Sequence, residues 1–372
     1  MPVSQFTIYT NADTFGPGLL TGQTGSLTAI LDACLVNGYG SGSAYYKPAA
    51  GWSKPLPNIS SSVDSLPQLA CYQQGATGSQ YVLFVNDSGP NITSTAKEAW
   101  VTGWENMSAL TGSGNLGLVY TASNSAGSGW GQFPLPSQQL TYGHVVWRKS
   151  ASADSVGRPW MIAADCNTVY LWVQTSDLAG DYMHGGFGEI FSFAQNDQFN
   201  CFIYGRATEN NSLDYPSNDY TGVICNGNGY QSPIQLTQVS YSTAQPGHWL
   251  VRNWSGTAGS LGFTKKGDAE NNGGFTATPV AVPMYGIFQT PNAMDNSFYV
   301  QPLQVLEPLN IMLRGRLRGL YMPMHPISNL SDGQIITAGG DYVGKTFIVI
   351  AKNGNGLGAW MLEISNTVET NS

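Results

Sequence analysis

The residues of this chain that could do chemistry sit in contexts that argue against it. Gly339-Gly340-Asp341-Tyr342-Val343-Gly344-Lys345-Thr346 fits the phosphate-loop pattern GxxxxGK[ST]. That pattern grips phosphate when a strand precedes it and a helix follows, because loop amides and the helix N-terminus supply the positive end. Here the next residues are Phe347-Ile348-Val349-Ile350-Ala351, a β-branched run that reads as a strand, and Asp341 places a negative charge inside the loop. We read the segment as a glycine-rich turn between strands. Gly112-Ser113-Gly114-Asn115-Leu116-Gly117 matches GxGxxG, but it follows a predicted helix and precedes Leu118-Val119-Tyr120, the reverse of the dinucleotide-binding order. The histidines (His144, His184, His248, His325) are scattered, with no HExxH and no zinc-site spacing. A GxSxG elbow is absent. Paired carboxylates could hydrolyse a glycan. Asp181, Glu189, Asp197 and Asp219 are candidates, yet each reads equally well as a turn former. The expectation is a non-enzymatic chain with no catalytic, cofactor-binding or metal-binding residues.

Contact chemistry is better represented. Arg314, Arg316 and Arg318 share one face of a strand of period two, with Leu313, Leu317 and Tyr321 on the other. Guanidinium groups in a sheet need acidic partners from the same chain or a neighbour, or an external anion. We expect an intersubunit or interdomain pairing. Aromatic residues are abundant, with 10 Trp, 19 Tyr and 14 Phe, and many stand beside glycine. Most should fill a β core. Trp52 and Trp130, both read as loop residues, are the candidates for touching a partner subunit or a sugar.

The elements that must position these residues are mostly strands. One helix is predicted within residues 25–38, where Leu27, Ile30, Leu31, Cys34 and Leu35 recur at helical spacing. Thr24 or Ser26 can cap it, and Asn37-Gly38 provides a left-handed stop. A second helix is predicted over 95–110 from Ala96, Ala99, Trp100, Trp104 and Met107, with Ser94 or Thr95 as its cap. Strands are expected near 6–9, 69–73, 81–86, 145–147, 198–204, 236–241, 249–253, 280–287, 298–306, 311–321, 334–337, 346–351 and 360–364. Residues 160–164 and 169–173 should form a hairpin around Asp165-Cys166-Asn167-Thr168. Residues 111–139 are dense in Gly, Ser, Asn and Pro and suggest a boundary. We expect an N-terminal α+β domain over 1–135 and a mainly antiparallel β domain over 136–372. The fold class is mainly β: sandwich or barrel-like antiparallel sheets, long Gly/Asn-rich loops and about two short N-terminal helices.

Composition agrees with contact rather than catalysis. Charged residues make up 10% of the chain, against roughly 25% in an average globular protein. Neutral polar groups cost far less to desolvate than ions, so such a surface suits packed subunit contacts. The formal charge of −8 gives no nucleic-acid footprint. The odd count of 5 cysteines, without a CxxC pair, reads as reduced buried thiols. The start, MPVSQFTIYT, lacks the basic and apolar regions of a secretion signal, and no run is long enough for a membrane helix.

Several phrases together carry a resemblance. They are Leu31-Asp32-Ala33-Cys34-Leu35-Val36-Asn37-Gly38-Tyr39-Gly40 with Ala49-Ala50-Gly51-Trp52, and Trp147-Arg148-Lys149-Ser150 with Arg158-Pro159-Trp160. Leu313-Arg314-Gly315-Arg316-Leu317-Arg318-Gly319-Leu320-Tyr321 and Trp360-Met361-Leu362-Glu363-Ile364 complete the set. In these the chain resembles a family of tailed-bacteriophage virion structural proteins. The resemblance implies a virion location, after assembly in the bacterial host cytoplasm, and no catalysis. It implies other virion proteins and copies of the chain itself as partners, on the head surface, neck or tail. It supplies no site residue. The alternative is a tail-associated adhesin that binds host glycans through aromatic loops, with a glycan depolymerase behind it.

Overall fold

The computed structural model describes residues 6–58, 69–89, 95–110, 127–136, 145–177, 182–207, 248–253, 255–257, 300–307, 312–323, 330–339, 342–350 and 360–365. The expected strands at 236–241 and 280–287, and the GxGxxG segment, lie outside them. The fold is mainly β, with curled antiparallel sheets that form a half-barrel.

In chain order the strands are β1 (Thr7–Thr10), β2 (Leu69–Gln73), β3 (Val82–Asn86), β4 (Glu98–Leu110), β5 (Gly127–Phe133), β6 (Val145–Arg148) and β7 (Trp160–Ala164). Then come β8 (Thr168–Gln174), β9 (Tyr182–Ser192), β10 (Cys201–Tyr204), β11 (Arg206–Ala207) and β12 (His248–Leu250). The last are β13 (Val300–Glu307), β14 (Met312–Pro323), β15 (Ile335–Thr337), β16 (Thr346–Ile350) and β17 (Trp360–Glu363). The larger sheet runs β1-β7-β8-β9-β14-β17-β16-β15, with β10 and β12 branching from β9 and β13 from β14. The smaller runs β11-β6-β4-β3-β2, with β5 beside β4. Strands from both sides of residue 135 meet in each sheet: β1 pairs with β7, and β4 pairs with β6.

The main core lies between the sheets. Val169, Leu171 and Val173 of β8 enter it together with Leu83 and Val85 of β3 and Ala99 and Val101 of β4. The alternate residues Tyr170 and Trp172 pack into a second core on the far face of the larger sheet, with Leu317, Leu320 and Leu362. Both faces of β8 are buried, which is why it reads as an unbroken apolar run.

Helix α1 (Ser26–Leu31) continues into a π-helical turn over Asp32–Asn37, closed where Gly38 N–H reaches Ala33 O at 2.8 Å. Gly38 leaves with φ 68°, a left-handed value that suits glycine. The expected local cap is corrected: neither Thr24 nor Ser26 caps α1. Its first amides, Leu27 N and Thr28 N, instead donate to Asp87 Oδ2 at 2.9 and 3.0 Å. Asp87 follows β3, so the cap arrives from across the fold.

The expected second helix is also corrected, since residues 98–110 form β4. Trp100 and Trp104 are four positions apart, a spacing that fits one helix face and one strand face equally. The pattern that decides it is Ala99 and Val101 facing the main core while Trp100 and Trp104 face away. Gly103 confirms the packing, because a Cβ there would lie 2.1 Å from Cζ of Phe133. No helix among the described residues is long and apolar enough to cross a membrane.

Candidate interaction surface

Strands flank the phosphate-loop-like segment, whose Gly340 and Asp341 lie outside the described residues. β15 and β16 pair antiparallel across it, Thr337 opposite Thr346. Lys345, the residue that would hold phosphate, donates from Nζ to Glu363 Oε2 at 2.7 Å and to Tyr321 Oη at 3.3 Å. Its charge is already met inside the sheet.

The arginine stripe diverges to separate destinations. Arg314 is buried and grips Asp197 with both arms: Nε to Oδ2 and Nη2 to Oδ1, each 2.7 Å, with Nη2 also reaching Phe199 O at 2.9 Å. Arg318 is buried beside Asp165, Nη2 to Oδ2 at 2.9 Å. Asp165 Oδ1 in turn accepts from Asn167 N and Thr168 N at 2.8 Å, fixing the β7–β8 hairpin turn. Arg316 is half-buried and lies over the Phe191 ring, 4.8 Å from its centre. Two register shifts between β13 and β14 account for the divergence, one of which leaves Arg314 as an extra residue between Leu313 and Gly315. Arg314 and Arg318 thus meet acids of this same chain. Of the carboxylates considered for glycan hydrolysis, Asp197 is engaged by Arg314, and Glu189 accepts from Ser79 N at 2.8 Å. Asp181 and Asp219 lie outside the described residues.

The tryptophans separate in the same way. Trp52 is 4% exposed and donates from Nε1 to Asp165 O at 2.6 Å. It packs against Phe187 and belongs to the core. Trp130 lies on β5 opposite Asn106 and is 57% exposed. Of the described cysteines, Cys34, Cys71 and Cys201 are buried, Cys166 is partly exposed, and all are free thiols. Burial pushes the Cys71 thiol up to about 12, so it stays protonated.

Sequence reasoning missed the larger aromatic surface. Phe15, Tyr45 and Tyr46 are 64%, 62% and 52% exposed, on the loops around 11–19 and 39–47. Phe15 has φ 65°. A side chain with a Cβ in that left-handed region costs about 1–2 kcal/mol, so this ring is held in water against a backbone preference. The device that holds it is Asp13. Its Oδ2 accepts from Thr10 N at 3.0 Å, and its carbonyl accepts from Gly16 N at 3.0 Å, closing the turn that carries Phe15. The same Oδ2 accepts from Tyr39 Oη at 2.6 Å and faces Lys47 Nζ at 3.5 Å. Tyr39 and Lys47 close the second loop through paired backbone bonds of 3.0 Å. One carboxylate therefore ties both aromatic loops together. Burial and the bond to Asp13 raise the Tyr39 phenol well above its ordinary range, so it remains a donor. The αL turn around Phe15 carries no glycine at that position, and this hid it from the sequence.

No protein-family model matches the chain, and no curated protein is similar to it.

Proposed function

We propose that this chain is a non-enzymatic structural subunit of a tailed-phage particle, acting by packing against neighbouring subunits. The observation that carries the reading is the division of labour in its side chains. Arg314, Arg318, Lys149 and Lys345 are committed to carboxylates of the same chain, while aromatic rings stand outside on braced loops. Chemistry on a substrate needs a polar group held within reach of it. Contact between subunits needs desolvatable rings with few charges around them, which this surface provides. The resemblance of several phrases to virion structural proteins is consistent with this reading, and the 10% charge content makes burial of a large surface inexpensive in solvation terms.

The test is co-purification. Particles from a phage that encodes the chain are banded on a density gradient and their proteins identified by mass. The chain is expected in the particle band at a fixed ratio to the major shell protein. Recovery only in the soluble fraction would overturn the proposal. The adhesin alternative keeps one supporting observation, the exposed Trp130 ring. It predicts that the isolated chain binds host polysaccharide and loses this on Trp130→Ala.

A further inference from the structure

We propose that the side chains of Lys149 and Asp87 condense into an intramolecular amide, a covalent staple across the smaller sheet. The inference goes beyond the assembly reading and does not depend on it. Asp87 follows β3 and Lys149 follows β6, and these strands lie on either side of β4. Lys149 Nζ lies 2.6 Å from Asp87 Oδ1, and both side chains are at 0% exposure. Lys54 and Asp32 are as close, and Lys345 and Glu363 nearly so, but those side chains reach solvent in part and water can solvate them as ions. Bulk water does not reach the Lys149–Asp87 contact. There an ion pair bears a desolvation cost that a neutral, hydrogen-bonded amide does not.

The atoms around the contact are aimed for that step. Lys149 Nζ also donates to Gln23 O at 2.6 Å and to Asp87 O at 3.0 Å. Once one proton passes to Asp87 Oδ1, these two carbonyls hold the remaining N–H groups and turn the nitrogen lone pair toward the carboxyl carbon. Asp87 Oδ2 accepts from Leu27 N at 2.9 Å and from Thr28 N at 3.0 Å. Those amides stand where negative charge grows on Oδ2 as Nζ adds to Cγ. The Nζ–Cγ bond forms, the Cγ–Oδ1 bond breaks, and Oδ1 leaves as water with two of the three ammonium protons. An ammonium and a carboxylate thus become one amide and one water, and the step consumes no co-reactant. The product finds its partners in place. Its carbonyl oxygen, the former Oδ2, keeps the Leu27 and Thr28 amides, and its N–H keeps Gln23 O. Burial pulls the Lys149 amine down, toward the neutral form that attacks.

The staple joins positions 62 apart in the chain, so β3, β4 and β6 stay tethered even when the protein unfolds. The intact mass of the full chain, denatured after ageing in its folded state, tests this. The wild type is expected to weigh one water less than its sequence. Proteolysis should release a branched peptide that joins Lys149 to Asp87, as fragmentation would show. The Asp87→Asn/Lys149→Met chain keeps an acceptor for the Leu27 and Thr28 amides but has no amine, and it should show its full sequence mass. Trimming at the N-terminus shifts both chains alike and cancels in the comparison. A wild type that keeps its full mass overturns the proposal. So does a loss of water that persists in the double variant, because an aspartate closing onto its own backbone would give that result. A branched peptide at other residues overturns it as well. The outcome is separable from the particle test: a chain found in particles at full mass removes only this inference, and a stapled chain absent from particles removes only the assembly reading.

Discussion

Lys149, Arg314 and Arg318 lie inside the molecule, while Phe15, Tyr45 and Tyr46 stand in water. The interior pairs are short and enclosed: Lys149 Nζ donates to Asp87 Oδ1 at 2.6 Å with both side chains at 0% exposure, and further to Gln23 O and Asp87 O. Burial pulls the Lys149 amine down, and the Asp87 carboxylate opposes that shift. The aromatic loops show the opposite economy, with a tense backbone and a single carboxylate holding rings outward. The comparison teaches that residue type alone does not tell which groups of this chain are structural and which are free to meet a partner. Charge here clasps the fold, and aromatic rings are left exposed.

The sharpest way to break that comparison is to remove one half of a clasp. Asp87→Ala strands the Lys149 ammonium and uncaps α1, and it should cost about 3–5 kcal/mol in denaturant unfolding. The pair Asp87→Asn with Lys149→Met should cost clearly less than Asp87→Ala, because no charge is left buried alone and Asn still accepts from the α1 amides. Equal losses would show that the pair is not a clasp. The tryptophans give the next contrast. Trp52→Ala should cost about 3–5 kcal/mol and Trp130→Ala within about 0.5 kcal/mol, measured the same way. Comparable losses would place Trp130 in the core.

A smaller effect comes from His184, which is buried, stacks on Trp172 with ring centres 4.5 Å apart, and meets Tyr204 Oη at 2.7 Å through Nε2. Burial holds its pKa well below 6.5, so the folded state keeps it neutral and the unfolded state takes up the proton first. Its contribution to stability is therefore complete above pH 6.5 and is lost as pH falls below that value. The slope from this one proton is at most about 1.4 kcal/mol per pH unit. Denaturation between pH 7 and pH 5 checks it, and His184→Gln should remove that part of the slope. The mildest probe leaves stability untouched. Under native conditions a thiol reagent should modify Cys166 well before Cys34, Cys71 or Cys201, as peptide mapping would show. Early labelling of Cys71 would contradict its enclosure.

Much of the β framework was legible from the sequence because its signals are local. The hairpin at 160–173 is announced by apolar runs on either side of Asp165-Cys166-Asn167, and β16 by its β-branched residues. β4 was misread because a spacing of four serves both periods, and only Val101-Thr102-Gly103 argued for extension. The α1 cap could not be read locally, since Asp87 lies about sixty positions downstream of the amides it serves. Arg314 and Arg318 do meet acids, but inside one expected domain of the same chain rather than across the intersubunit or interdomain contact that the stripe suggested. Their destinations depend on bulges in β14 and on Asp165 and Asp197, which tertiary folding alone brings near. The surface was the least legible part. Trp52 and Trp130 look alike in sequence, and the αL turn at Phe15 has no glycine to mark it.

The most direct measurement of the central claim is hydroxyl-radical footprinting of the chain free and in assembled particles. The account predicts that Phe15, Tyr45 and Tyr46 are labelled when the chain is free and protected on assembly, while Trp52 stays unlabelled in both. Unchanged labelling of those rings in particles that contain the chain would contradict it.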